Sequence, residues 1–249
     1  MRWADALRPR ANRIERRLAE AFAAADVGDY ARALAVWEPL AREGVARAQS
    51  NIGAAFAEGL GVSRDPALAA KWFEAAAAAG DPVARSNLAS LCFRGDGVEQ
   101  DYSRAANLYR QAAEAGDAAA QDMLSWMLLE GEIMPIDPVE ARRWAEAAAR
   151  QGVASAMTRL GMIFHNALGV ARDPDEAVRW WRAAADAGDA DGEAMLGAAL
   201  YLGQGAPCDP VQALVRLERA AAAGSALARP FLGPARAAMA ASAEPGAAP

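Results

Sequence analysis

Residues 95–117 read GDGVEQDYSRAANLYRQAAEAGD, and residues 59–81 read GLGVSRDPALAAKWFEAAAAAGD. Every landmark of the second stretch returns 36 positions later in the first. Glycines stand at Gly44, Gly80, Gly116, Gly152, Gly188 and Gly224, and aspartates at Asp29, Asp65, Asp101, Asp137, Asp173 and Asp209. The chain has 21 glycines in 249 residues, so six hits at one fixed phase have a chance probability on the order of one in a few million. A constant period of this length is the mark of a solenoid in which each unit buries its apolar face against the next.

Each unit resolves into two helices. A first helix near 46–58 carries Ala48, Ile52, Gly53 and Phe56 on one face. The Ile52 column continues as Leu88, Leu124, Leu160, Leu196 and Leu232, and a small residue follows each time: Gly53, Ala89, Ser125, Gly161, Gly197 and Gly233. Only a small residue lets a neighbouring helix approach closely. Glycine pairs such as Gly59/Gly61, Gly95/Gly97 and Gly203/Gly205 suit the left-handed turn that ends a helix.

Asp-Pro steps at 65, 137, 173 and 209 open the second helix, with Asp as N-cap and Pro in the first turn. Asp137 with Glu140, and Asp173 with Glu176, read as capping boxes in which Asp replaces Ser or Thr. The second helix buries Ala69 and its equivalents Ala33, Ala105, Ala141, Ala177 and Ala213. A bulky knob follows at Trp72, Leu108, Trp144 or Trp180, beside Phe73, Tyr109 or Trp181. The recurring glycine then closes the helix, and Asp81, Asp117 or Asp189 caps the next one. These features predict an all-α fold: a right-handed α/α superhelical solenoid of helix-turn-helix repeats with a 36-residue period.

The line Ile52-Gly53-x-x-Phe56-x-x-Gly59-x-Gly61-Val62, then Asp65, Ala69, Trp72, Ala76-Ala77 and Gly80, resembles the Sel-one-like repeat (SLR), a relative of the tetratricopeptide repeat. The division expected is a helical segment at 1–13, a capping repeat at 14–49, and five repeats over 50–228 (50–85, 86–121, 122–157, 158–193 and 194–228). A degenerate cap at 229–241 and a disordered tail at 242–249 complete it. Pro39 falls inside the second helix of the first unit, the fourth unit loses its second glycine after Gly131, and Pro230 and Pro234 are expected to disrupt a seventh helix.

Composition narrows the function. A formal net charge of −6 argues against nucleic acid, whose phosphates require a basic face, and against a polybasic membrane contact. No apolar run is long enough to span a bilayer. The charged N-terminus has no secretory h-region, so a cytoplasmic protein is expected. Cys92 and Cys208 are too few for a disulfide framework. No catalytic, cofactor or metal site is expected: the one lysine, Lys71, lacks a serine three residues before it, and the one histidine, His165, has no second ligand of its kind.

The resemblance implies a scaffold that holds peptides or other proteins. In tetratricopeptide arrays the first helices line the concave surface, which places positions 47, 50, 51, 54, 57 and 58 and their equivalents on a groove. The expected partner-binding residues are Phe93, Met123, Trp126, Leu129, Met162, His165 and Tyr201, an apolar set suited to an adaptable cleft. By the same resemblance, Arg47, Asn51 and Asn87 stand where a clamp for a peptide carboxylate sits, although Ala119 and Met123 replace its remaining basic residues. The expected partner is a protein or peptide, bound by a monomer. A structural component of a bacterial assembly, using convex or edge surfaces, is the alternative. A hydrolase related to cysteine-rich Sel-one-like proteins fits less well, because their regular cysteine pairs are absent.

Overall fold

Six aspartates, Asp29, Asp65, Asp101, Asp137, Asp173 and Asp209, each accept a hydrogen bond at 2.8–3.1 Å from the backbone N–H three residues on. That bond satisfies one of the donors a helix start leaves free. In the computed structural model, which describes residues 2–243 and the side chains of residues 11–241, every one of these caps opens a second helix. The expected tail at 242–249 lies outside those residues for the most part.

The chain divides into two units, residues 1–120 and 121–249. The first holds α1 (Arg2–Asp26), α2 (Tyr30–Arg42), α3 (Ala46–Glu58), α4 (Pro66–Ala78), α5 (Pro82–Arg94) and α6 (Tyr102–Glu114). The helix α7 (Ala118–Glu130) starts at the division. The second unit continues with α8 (Pro138–Arg150), α9 (Ala154–His165), α10 (Pro174–Asp186), α11 (Ala190–Leu202), α12 (Pro210–Ala222), a short 3-10 turn (Ala226–Ala228) and α13 (Arg229–Ala243). No strand occurs among the described residues, and the all-α repeat class read from the sequence is the fold observed. Helix α1 runs unbroken across residue 13.

Within each repeat the helices lock through size matching. A Cβ on Gly53 would fall 2.6 Å from the Phe73 ring, one on Gly161 2.2 Å from Trp181 Nε1, and one on Gly197 2.9 Å from Leu217 Cγ. Glycine is therefore the residue that lets α3 meet α4, α9 meet α10, and α11 meet α12. The buried knob is the residue after the one expected: Phe73, Tyr109 and Trp181 are buried, whereas Trp72, Leu108 and Trp180 stay half-exposed. Four residues separate Ala69 from Phe73 and Ala177 from Trp181, so alanine and knob share one helical face. The repeat at 122–157 departs from this, placing Ala145 in the knob column and burying Trp144 instead.

Two local expectations need correcting. The capping boxes are only half made: the N–H of Asp137 donates to Leu128 O (3.0 Å) and that of Asp173 to Phe164 O (3.0 Å), so Glu140 and Glu176 have no cap N–H to take. The same nine-residue link recurs from Asp65 to Phe56 and from Asp209 to Leu200, and it ties each second helix to the first. The prolines near the C-terminus do not break α13. Pro230 lies in its first turn, where a missing N–H is tolerated, and the helix passes through Pro234 with one backbone bond fewer. Pro39 likewise lies within α2.

One loop residue carries backbone strain. Gly59, Gly95 and Gly203 end their helices in the left-handed region, but the repeat at 158–193 places Ala167 there at φ 57°. For a residue with a Cβ this conformation costs about 1–2 kcal/mol.

Candidate functional site

The first helices present to solvent the residues that the 1–5–8 helical spacing leaves outside the packing columns. In the first unit this face forms a cleft of about 230 Å³ between α3 and α5, with Ala54, Glu58, Asn87, Ser90 and Arg94 around a floor that includes Phe73. The side chains of Ser90 and Tyr109 are hydrogen-bonded, and burial pushes the Tyr109 phenol above its ordinary range. The cleft wall is mostly polar.

Of the three residues of the suggested clamp, Arg47 and Asn51 lie one turn apart on α3 and Asn87 lies on α5. Arg47 lies with its guanidinium 5.7 Å from the centre of the Phe22 ring, in a separate cleft that also contains Glu15 and Asp81. Asn51 has a buried Nδ2 with no hydrogen-bond acceptor. Asn87 lines the α3–α5 cleft. Phe93 is half-buried and meets Tyr102 edge-on at 5.2 Å between ring centres.

In the second unit the same columns turn apolar. Met123, Trp126 and Leu129 on α7 are half-buried, and Met162 on α9 is 39% exposed. Tyr201 on α11 is half-buried and packs edge-on against Phe231 of α13 at 6.4 Å. Leu202, absent from the expected set, is 49% exposed. Its column runs Glu58, Arg94, Glu130, Asn166, Leu202, so the change from charge to leucine was there to be seen. Position 50 does not face a groove: Ser50, Ser86 and Thr158 are buried, and Thr158 Oγ1 donates to Asp189 Oδ2 at 2.6 Å.

His165 ends α9 with its ring 5.4 Å from that of Trp181, tilted by 49°, and its Nδ1 buried without a hydrogen-bond partner. Burial, and then the charge of Arg172, hold this imidazole below its ordinary value. Arg159 and Asp122 form a largely buried ion pair at 3.1 Å between α9 and α7, and Ser155 Oγ donates to the other Asp122 oxygen at 2.7 Å.

The carboxylates of the repeat loops are engaged as helix caps. Among the described residues no group of three His, Cys, Asp or Glu side chains is placed to hold a metal, and no helix is long and apolar enough to cross a membrane. Cys92 is fully buried, and that burial raises its thiol pKa. Cys208 is exposed and donates its S–H to Tyr201 O at 3.3 Å.

Comparison with known proteins adds the family. The Sel1 repeat profile matches residues 46–81, 82–117, 118–153, 154–189 and 190–225. A Sel1 repeat protein from Oxalobacter formigenes is 32% identical, over 85% of this chain and 86% of that one, with a TM-score of 0.77. A protective antigen of uropathogenic Escherichia coli with an SLR fold is 29% identical, TM-score 0.75, over 92% of this chain, which spans half of that protein's length. An immunity protein from Pseudomonas aeruginosa, 18% identical with a TM-score of 0.51 over 74% of this chain and 70% of that one, shares the fold alone. Curated proteins give no match. Sel1 repeat proteins are in general non-catalytic scaffolds for protein interaction. With five matched copies in unbroken 36-residue phase, three of them built on a glycine hole filled by a knob, this chain belongs to the Sel1 repeat family.

Proposed function

We propose that the chain is a non-catalytic adaptor, monomeric by itself, that holds a peptide or helix of a partner protein on the outward face of its first helices. The apolar columns of the second unit carry the contact. The observation behind this reading is the exposure of Met162 and Leu202 (39% and 49%) in the columns that in the first unit line an open cleft. A contiguous apolar patch on a repeat face marks a contact surface. Methionine, with three soft rotatable bonds, adapts to varied ligands.

A second reading places the contact on the second helices, where Val139 and Val211 are 58% and 53% exposed. Selection of displayed peptides on the intact chain separates the two. The adaptor reading expects selected peptides to carry apolar anchors and to lose binding to Met162→Asp/Leu202→Asp while keeping it for Val139→Asp/Val211→Asp. The reverse pattern would establish the second-helix surface.

A further inference from the structure

On α5 the cleft of the first unit is walled by Asn87, Ser90 and Arg94, spaced three and four residues apart and so on one face of that helix. Glu58 stands across from them at the end of α3, one repeat before Arg94 in the same column. Both charged side chains are exposed, and neither is in an ion pair among the described residues, with the other or with any third group. Between the walls lie Ala54, Leu91 and the buried ring of Phe73. Ser90 is held by its hydrogen bond with Tyr109, and the Arg94 charge lies near that phenol. The cleft thus sets a guanidinium and an amide on one side, a carboxylate on the other, and an apolar floor between them. Its volume of about 230 Å³ falls below the roughly 300–1,000 Å³ of pockets for drug-sized ligands, so the occupant is small.

We propose that this cleft binds a free α-amino acid with an apolar side chain. The ligand's carboxylate takes the Arg94 guanidinium, whose planar fork presents paired N–H donors to two oxygens, with the Asn87 amide as a further donor. Its ammonium takes the Glu58 carboxylate. Its side chain lies over Ala54, Leu91 and Phe73. A zwitterion suits the two walls because each of its charges meets the opposite one, whereas a ligand with a single charge leaves one wall unmatched. A peptide segment within a chain has amides where the amino acid has charges, and so matches neither wall through its backbone. The site lies wholly in the first unit and does not rest on the apolar columns of the second.

The probe is L-leucine, titrated into the full chain and read by isothermal calorimetry, beside N-acetyl-leucine, which lacks the ammonium, and leucinamide, which lacks the carboxylate. Leucine is expected to bind saturably, and each analogue at least about fivefold more weakly, the scale of one charge-assisted contact at a partly exposed site. Glu58→Gln weakens leucine but not N-acetyl-leucine, and Arg94→Gln weakens leucine but not leucinamide. Both side chains are exposed, so thermal unfolding of the two variants is unchanged. No saturable binding of leucine overturns the proposal, as does leucine binding that neither variant weakens. N-acetyl-leucine bound as tightly as leucine also overturns it, since the cleft would then be a site for carboxylates alone. So does binding of the blocked peptide N-acetyl-Lys-Ala-Glu-amide in place of leucine, lost in both variants, which would make a peptide the occupant.

Discussion

The glycine column makes different predictions for one substitution at two positions. At Gly161 a methyl carbon would sit 2.2 Å from Trp181 Nε1 and 2.4 Å from its Cδ1. Unstrained contacts need about 3.5 Å or more, so the ring must retreat by more than about 1 Å. Trp181 is 1% exposed and has no free side to move into. Overpacking of this kind costs about 1–3 kcal/mol, and a clash with two ring atoms belongs near the top of that range. Alanine in place of glycine within a helix returns about 1 kcal/mol. Gly161→Ala is therefore expected to destabilise the chain by about 2 kcal/mol. At Gly233 the methyl meets nothing outside its chain neighbours, but Pro234 follows, and a Cβ before proline disfavours the helical region and offsets the helix term, so Gly233→Ala changes stability by less than about 1 kcal/mol. Urea unfolding followed by circular dichroism reads both. With a slope of about 2 kcal/mol/M, the Gly161→Ala midpoint falls by about 1 M and the Gly233→Ala midpoint moves by less than about 0.5 M. Trimming the knob with Trp181→Phe should recover part of the loss only when Gly161→Ala is present. Equal shifts of the same sign at the two glycines would refute size matching as the source of helix pairing.

Other outcomes follow from single sites. Ala167→Gly removes a left-handed alanine and is expected to raise stability by about 0.5–1 kcal/mol after the added freedom of the unfolded chain is subtracted, seen as a melting midpoint about 2 °C higher. Asp122→Ala leaves Arg159 largely buried without its carboxylate and should cost about 3 kcal/mol, whereas Asp122→Ala with Arg159→Met costs less; a double-mutant cycle with no coupling would contradict this. His165 has a folded pKa below 6.5, so on acidification the unfolded chain takes the proton first. Its contribution to stability is full above about pH 6.5 and shrinks as pH falls towards the folded value. The chain's one imidazole gives a single NMR titration, and a midpoint above 6.5 would reverse the sign.

Much of the fold was legible because the same physical demand recurs at one phase. Asp before a helix start, glycine at a left-handed helix end and alanine under a knob are local requirements, and six copies make them plain. What escaped was decided by neighbours in space. Periodicity alone does not tell Trp72 from Phe73 as the knob, since adjacent helical residues point 100° apart and only the position of α3 selects one. The half-made capping boxes depend on a bond from the Asp N–H to a carbonyl nine residues earlier, which no helix signal encodes. The N-terminal position of Pro230 in α13 depends on where the preceding 3-10 turn stops. For the candidate site, columns 54 and 58 do border an open cleft in the first unit. Position 50 turned inward because its hydroxyl has a carboxylate to reach in Asp189, as Thr158 shows. Leu202 was passed over because the column it ends begins with charged residues.

The central claim is that a partner rests on the exposed face of the first helices in the second unit. Site-specific photo-crosslinking answers it: a benzoylphenylalanine placed at position 162, and separately at position 211, is irradiated with the partner bound. The account predicts an adduct from position 162 and none from position 211. Adducts from position 211 alone would contradict it.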